Sequence, residues 1–197
     1  MLSRGVQIRT MGVNAVNLAE KIKTIKPRGK KVLFVCVGTD RSTGDSLGPI
    51  VGTRLKGRGY EVLGTIDEPV HAANLSETLS LIESKYPDHF VIAIDASLGR
   101  QKEVGNIKVA HGPLFPGSGV GKSLPPVGDA RIVGCVNVGG FMEYFVLQNT
   151  RLSRVLRMAD EIFQAITKAI RPPRRKKRRN ALCEIAATAE KKTSTSH

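Results

Sequence analysis

Two continuous apolar segments constrain the fold of this chain more than any other feature. Residues 31–38 read Lys-Val-Leu-Phe-Val-Cys-Val-Gly, and residues 90–95 read Phe-Val-Ile-Ala-Ile-Asp. Strands without polar and apolar alternation are typical of parallel sheets that are covered on both faces. Both segments are far shorter than the roughly 20 apolar residues that a membrane helix needs. We therefore expect buried parallel strands and no membrane span.

The remaining segments alternate between helix and strand patterns. Apolar residues at helical spacing predict helices in residues 14–26, 45–57, 74–86 and 141–170, the last with a break near Asn149. Strands are predicted in residues 60–66, 105–110 and 131–138. This order predicts an α/β fold, a three-layer α/β/α sandwich with a mainly parallel twisted sheet of about five strands.

Positive charge is concentrated at the two ends of the chain. The net charge is +14, of which residues 1–31 contribute +7 and residues 171–179 another +7, whereas residues 32–170 carry 14 basic and 14 acidic side chains. A neutral centre argues against a DNA-binding globular domain. We predict a basic N-terminal extension with a helix (1–30), one α/β domain (31–170) and a basic disordered tail (171–197). The tail is either solvated or a contact for nucleic acid or an acidic partner.

Two aspartates follow the apolar segments and form the main candidate for a catalytic site. Asp45 follows the first segment by one loop, and Asp95 ends the third predicted strand. Ligands of open parallel sheets bind at the carboxyl ends of strands. Each aspartate alone has an equally good structural explanation: Asp45 as a helix N-cap, and Asp95 as a strand end bonded to loop amides. As neighbours, they could share acid and base roles in activating water.

Other polar residues near strand ends are weaker candidates for supporting roles. His71 could complete a metal site or a proton relay with the two aspartates, or it could be a surface residue. Ser46 and Cys36 are conceivable nucleophiles, but Ser46 has no evident base and Cys36 lies in an apolar run. The supporting candidates are Asp40, Ser46, His71 and Asn137.

A glycine-rich segment nearly matches a phosphate-binding loop. Residues 116–123 read Pro-Gly-Ser-Gly-Val-Gly-Lys-Ser, in which Pro116 replaces the first glycine of the motif. Prolines before and after the segment prevent the strand and the helix that the motif requires. We interpret it as a flexible loop bordering the active site and expect no nucleotide, other cofactor or metal. Its candidate residues are Gly117, Ser118, Gly119 and Gly121.

Several segments resemble the YyaC family of sporulation proteins. They include Phe-Val-Cys-Val-Gly-Thr-Asp-Arg-Ser-Thr-Gly-Asp-Ser-Leu-Gly-Pro in residues 34–49 and Val-Ile-Ala-Ile-Asp-Ala-Ser-Leu-Gly-Arg in residues 91–100. The resemblance extends over roughly residues 30–170 through further segments at residues 67–75, 124–129 and 136–152.

This family is similar to the germination protease of spore-forming bacteria, an atypical aspartic peptidase that degrades small acid-soluble spore proteins. The resemblance implies the same α/β/α fold, catalytic roles for Asp45 and Asp95, and a glycine loop at residues 116–121. The wider group includes hydrogenase-maturation peptidases, which hold a metal with Glu, Asp and His. Ser46 stands near the position of that Glu, so the resemblance implies no metal here.

The leading hypothesis is a cytoplasmic peptidase of the sporulating cell or spore that acts on proteins such as the small acid-soluble spore proteins. One alternative is a non-catalytic sporulation protein that binds a protein partner, and another is a metal-dependent maturation peptidase. A homo-oligomer is compatible with all three hypotheses.

Overall fold

The computed structural model describes residues 13–117 and 124–173, and its centre is a five-stranded sheet. The strands are β1 (Val32–Cys36), β2 (Glu61–Leu63), β3 (Phe90–Gly99), β4 (Ile107–His111) and β5 (Ala130–Val138). Their spatial order is β2-β1-β3-β5-β4. Strand β1 runs parallel to β2 and β3, β3 runs parallel to β5, and only β4 is antiparallel to its neighbour. The predicted mainly parallel sheet of about five strands is confirmed.

Helices cover both faces of this sheet. They are α1 (Val13–Ile25), α2 (Leu47–Gly57), α3 (Leu75–Lys85), α4 (Glu143–Gln148) and α5 (Leu152–Ala169). Residues of α1, α2 and α5 form one buried cluster with Phe34 and Cys36 of β1. Leu75 of α3 belongs to a second cluster with Leu33 and Val35 of the same strand. Because neighbouring residues of β1 enter opposite clusters, its sequence is apolar throughout, and the predicted three-layer sandwich is confirmed.

Helix α1 packs into the first cluster through Leu18, Ala19 and Ile22, beside Ile162 and Ile166 of α5. The predicted break near Asn149 is also confirmed, because α4 ends at Gln148 and α5 begins at Leu152. Of the tail predicted at residues 171–197, residues 174–197 lie outside the described residues.

Strand lengths differ from the predicted ones on both sides of β1. The strand predicted at residues 60–66 contains only Glu61–Leu63, and Gly64 then takes a φ of +88° in contact with the Cys36 carbonyl group. In contrast, β3 continues through Gly99, because β5 pairs with residues 92–99 of β3. The prediction that Asp95 ends its strand was therefore wrong: four more strand residues follow it.

The Asp45 cap is wrong, and so is the Asn74 cap that the capping-box spacing of Asn74 and Glu77 predicts. Helix α2 begins at Leu47 with Ser46 at the N-cap position, so Asp45 precedes the cap. Asn74 lies at the N-cap of α3, but its side chain does not cap the helix. Its amide oxygen accepts the His71 N–H (2.9 Å) and its amide nitrogen donates to the Pro69 carbonyl oxygen (2.9 Å). Asn74 therefore stabilises the loop after β2.

No helix in the described part of the chain has both the length and the apolar character needed to cross a membrane.

The contact between α2 and the sheet allows a direct test. A Cβ atom at Gly48 would overlap the Val37 carbonyl oxygen and lie 3.1 Å from that of Ile94. Both are backbone atoms, so Gly48→Ala must push α2 away from β1 and β3. We expect a loss of about 1–3 kcal/mol in the free energy of unfolding, measured with urea.

Gly57→Ala is the matched control in the same helix, because nothing lies within 4 Å of the position that its new methyl group would occupy. It should leave stability unchanged or raise it by up to about 1 kcal/mol. Equal stability of the two variants would contradict the close packing at Gly48.

Candidate active site

The candidate site lies where the chain changes direction across the sheet. From β1 the chain passes through α2 to β2 on one side, and β3 then lies on the other side of β1. The carboxyl ends of β1 and β3 thus flank a topological switch point, where open α/β sheets bind ligands. Asp45 follows β1, and Asp95 lies in β3 one residue beyond the last pair with β1, Cys36 and Ile94.

Backbone contacts fix the loop that carries Asp45. Gly38 has a φ of +136°, and the Asp45 carbonyl group lies where a Cβ atom of Gly38 would be. The Gly44 N–H donates to the Leu147 carbonyl oxygen of α4 (2.8 Å), and the Ser46 N–H donates to that of Ser42 (3.1 Å). The loop therefore folds back over the end of β1 and is also held by α4.

The Asp45 side chain is partly buried, and this burial raises the pKa of its carboxyl group. Burial is the cause of this shift, and no hydrogen bond from the described residues offsets the loss of water around the charge. A carboxylate without such partners is available to a ligand or to water.

Asp95 lies on the opposite sheet face from Ile92 and Ile94, because side chains alternate along a strand. The pKa of its carboxyl group is raised well above its usual range, chiefly by burial, and the negative charge of Asp45 raises it further. Its Oδ1 atom accepts a hydrogen bond from the backbone N–H of Ala96 (2.7 Å), and this bond lowers the pKa of the Asp95 carboxyl group. The charge of Asp45 therefore acts on Asp95, which makes the two carboxyl groups one candidate site.

This arrangement suits acid and base chemistry. Two neighbouring carboxyl groups in a partly dehydrated site ionise in turn, so one holds a proton while the other is charged. A charged carboxylate can accept a proton from water, and a neutral carboxyl group can donate one.

Two supporting candidates lie in the Asp45 loop. The Ser46 hydroxyl group is buried and donates to the Thr43 carbonyl oxygen (2.7 Å), so it stabilises the turn before α2. Asp40 is exposed in the same loop. The charge of Asp45, and not that of Asp40, is the one that acts on Asp95.

Asn137 holds α4 in place. Its amide nitrogen donates to the Val146 carbonyl oxygen and to the Thr150 hydroxyl oxygen (both 3.3 Å), and its amide oxygen accepts the Val138 N–H (2.9 Å). The Asn137 side chain is thus bonded to neighbouring residues of the fold through both its nitrogen and its oxygen. Asn137 therefore supports the helix that contacts the Asp45 loop.

His71 lies one strand away from the two aspartates, after β2. Val70 pairs with Val37, and the Val70 carbonyl oxygen accepts the Gly38 N–H (2.8 Å). His71 lines a cavity of about 310 Å³ between β2 and α3, together with Thr65, Glu68 and Asn74. Neither aspartate lines this cavity.

In residues 13–117 and 124–173, no three side chains of His, Cys, Asp or Glu are grouped so that they could hold a metal ion.

The described part of the glycine-rich loop starts on the sheet face to which Asp95 points. Leu114 and Val127 pair through two backbone hydrogen bonds (2.8 and 2.9 Å) and belong to the second cluster with Ala93. Gly117 takes a φ of +71° in a turn just after this pair. Ser118, Gly119 and Gly121 lie outside the described residues, so the role of this loop at the site stays a prediction.

Sequence reasoning missed two features of the site. The contact between Gly44 and Leu147 joins residues 103 positions apart, and no local pattern signals it. The Ala96 N–H that binds Asp95 was also missed, because the strand was predicted to end at Asp95. The sequence does allow a longer strand, because residues 96–99, Ala-Ser-Leu-Gly, can all adopt an extended backbone.

Comparison with known proteins shows the family. A family model described as "Protein of unknown function (DUF1256)" matches residues 13–165, and the chain belongs to this family. It is 49% identical over 173 residues to a protein of Bacillus subtilis (strain 168) described as "Uncharacterized protein YyaC", covering 83% of this chain and 84% of that protein. The resemblance to the YyaC family is confirmed.

Among solved structures, the chain is similar to two [NiFe] hydrogenase maturation proteases from Thermococcus kodakarensis. The similarity to HybD has a TM-score of 0.45 at 13% identity and covers 70% of this chain and 97% of that chain. The similarity to HycI has a TM-score of 0.47 at 16% identity and covers 74% and 98% of the two chains.

The raised pKa of Asp95 predicts a pH-dependent gain of stability in Asp95→Asn. Between the usual aspartate pKa of about 3.9 and the higher pKa of folded Asp95, the native state binds more protons than the unfolded state. Wild-type stability therefore falls as pH rises through this window. Asparagine removes that titration and keeps an oxygen for the Ala96 N–H. The stability difference between variant and wild type, measured with urea at several pH values, should grow with pH.

Asp88→Asn is the control, because Asp88 is exposed at the other end of β3. It shows the effect of the same substitution at an exposed position. A difference between Asp95→Asn and wild type that does not change with pH would contradict the raised pKa.

Proposed function

We propose that this member of the DUF1256 family is a peptidase in which Asp45 and Asp95 together activate water for attack on a peptide carbonyl group. The observation that carries the proposal is the electrostatic coupling of the two carboxyl groups: burial raises the pKa of both, and the charge of Asp45 raises that of Asp95 further. Perturbed carboxyl pairs at a strand-end switch point are typical of catalytic sites.

The reaction needs one ionised and one protonated carboxyl group. The carboxylate accepts a proton from water as the water oxygen bonds to the peptide carbon. The carboxyl group donates its proton to the peptide nitrogen as the C–N bond breaks. The products are a new carboxyl terminus and a new amine, and the proton of the pair has moved from one aspartate to the other. Because the coupled pair titrates as a unit, the acid and base roles belong to the pair.

The substrate proposal rests on the resemblance to the germination protease. Small acid-soluble spore proteins are therefore the first candidate substrates, in the cytoplasm of a sporulating cell or spore. The coupled carboxyl pair is itself sufficient for the proposed chemistry, so neither a cofactor nor a metal is part of the proposal.

A second candidate function is the binding of a protein partner without catalysis. The observation that favours it is a set of exposed apolar side chains in and before α4, of which Phe141 is 82% exposed. Surface side chains of this kind mark contact sites for other proteins when they are contiguous. The other exposed members of this segment are Met142, Tyr144 and Phe145.

Cleavage of purified small acid-soluble spore proteins tests the peptidase proposal. We expect Asp45→Asn and Asp95→Asn each to lower kcat/KM by about 10²- to 10⁴-fold, because each removes one partner of the proton transfers. The double variant should lose little more than either single variant, since the two residues act as a unit. Asp88→Asn should retain wild-type activity.

Three results would redirect the proposal. Cleavage that survives both aspartate changes would refute the carboxyl pair. Wild-type protein that cleaves none of these substrates, yet binds one, would favour the partner-binding function. Activity that is lost to a chelator and restored by a divalent metal would favour the metal-dependent alternative.

A further inference from the structure

Strand β3 extends further than its neighbour β1, so the last residues of β3 have no strand partner on the β1 side, next to the candidate site. The pairing between them ends at Cys36 and Ile94, with a final bond from the Val37 N–H to the Ile94 carbonyl oxygen (2.8 Å). Strand β3 continues to Gly99, paired with β5. Over residues 96–99, the described part of the chain supplies a strand partner on the β5 side only. We call the free edge of residues 96–99 the β3 step.

Backbone groups of the step point toward the position that a longer β1 would fill. The Ile94 carbonyl oxygen faces β1, and backbone direction alternates along a strand, so Ala96 presents its N–H and carbonyl oxygen on the same side. Its N–H is bound by Asp95 Oδ1 (2.7 Å). Its carbonyl oxygen has no donor from the described residues on that side, which leaves it free for another chain.

The two candidate catalytic residues lie at the inner corner of the step. Asp95 immediately precedes Ala96 on β3, and Asp45 belongs to the loop that folds back over the end of β1 at Gly38. A backbone lying along the step would therefore pass both carboxyl groups. Only another extended backbone offers donors and acceptors at the spacing of a strand edge.

The length of the step indicates which kind of chain fits. Four residues of strand span about 13 Å. That is short for pairing with a strand of a second folded copy, and it suits one extended segment of a peptide. On the opposite edge of β3, the Gly139 N–H donates to the Gly99 carbonyl oxygen (2.9 Å), so pairing with β5 and the residue after it holds the step extended to its end.

We propose that the β3 step binds the substrate as an added strand in place of the missing end of β1, which brings a peptide bond to Asp45 and Asp95. This inference rests on the proposed peptidase function and adds its substrate class: a polypeptide segment that is locally unfolded and has free backbone N–H groups. Folded proteins without such a segment are not substrates.

Amide hydrogen exchange of the full-length Asp45→Asn protein tests the proposal without cleavage of the probe. The probe is reduced and carboxymethylated α-lactalbumin, a permanently unfolded chain, and the disulfide-bonded folded form is the control. We expect the unfolded probe to slow exchange in residues 95–100 at least several-fold. The sheet edges at β2 and β4 should exchange as before, and the folded form should have no effect. Polyproline, which has no backbone N–H, should not compete with the probe.

Protection of β2, β4 or α4 in place of residues 95–100 would overturn the proposal, and so would the absence of any protection. The outcome is separable from that of the peptidase proposal. Protection of the step in a protein whose wild type cleaves nothing would leave peptide binding intact and refute catalysis. Cleavage by wild type without protection of the step would refute only the strand-addition mode.

Discussion

The close contact between the first turn of α2 and the carboxyl ends of β1 and β3 is the constraint on which the candidate site depends. Gly48 allows the helix backbone to lie against the Val37 and Ile94 carbonyl groups, and Gly38 allows the Asp45 backbone to return to the end of β1. With side chains at these positions, the loop would stand away from the sheet. Asp45 would then remain in water and would not affect Asp95.

This packing has an energetic cost that is consistent with function. The Asp45 carboxyl group loses water without gaining a hydrogen bond from the described residues, and Asp95 gains one from Ala96. Burial of charge without full compensation destabilises a fold. The same arrangement holds a carboxyl group protonated at a pH where it would ordinarily be charged, which a reaction requiring both an acid and a base can use.

The sequence predicted those parts of the fold that depend on burial. Phe34 and Val35 enter opposite clusters, so an uninterrupted apolar run indicated a strand covered on both faces, and the aspartates after such runs indicated the candidate site. Strand ends were predicted less well, since they depend on distant pairing partners: β5 extends β3 to Gly99, whereas Gly64 ends β2. The same limit explains the cap predictions, because Asn74 binds a loop that spacing alone does not reveal.

The most direct test is to titrate the Asp45 and Asp95 carboxyl carbons by nuclear magnetic resonance in wild type and in Asp45→Asn. We expect an Asp95 pKa well above the usual value of about 3.9, and a lower Asp95 pKa in the variant, since the Asp45 charge that raises it is gone. An Asp95 carboxyl group that titrates in the ordinary range, unchanged by Asp45→Asn, would show that the two residues do not form one site.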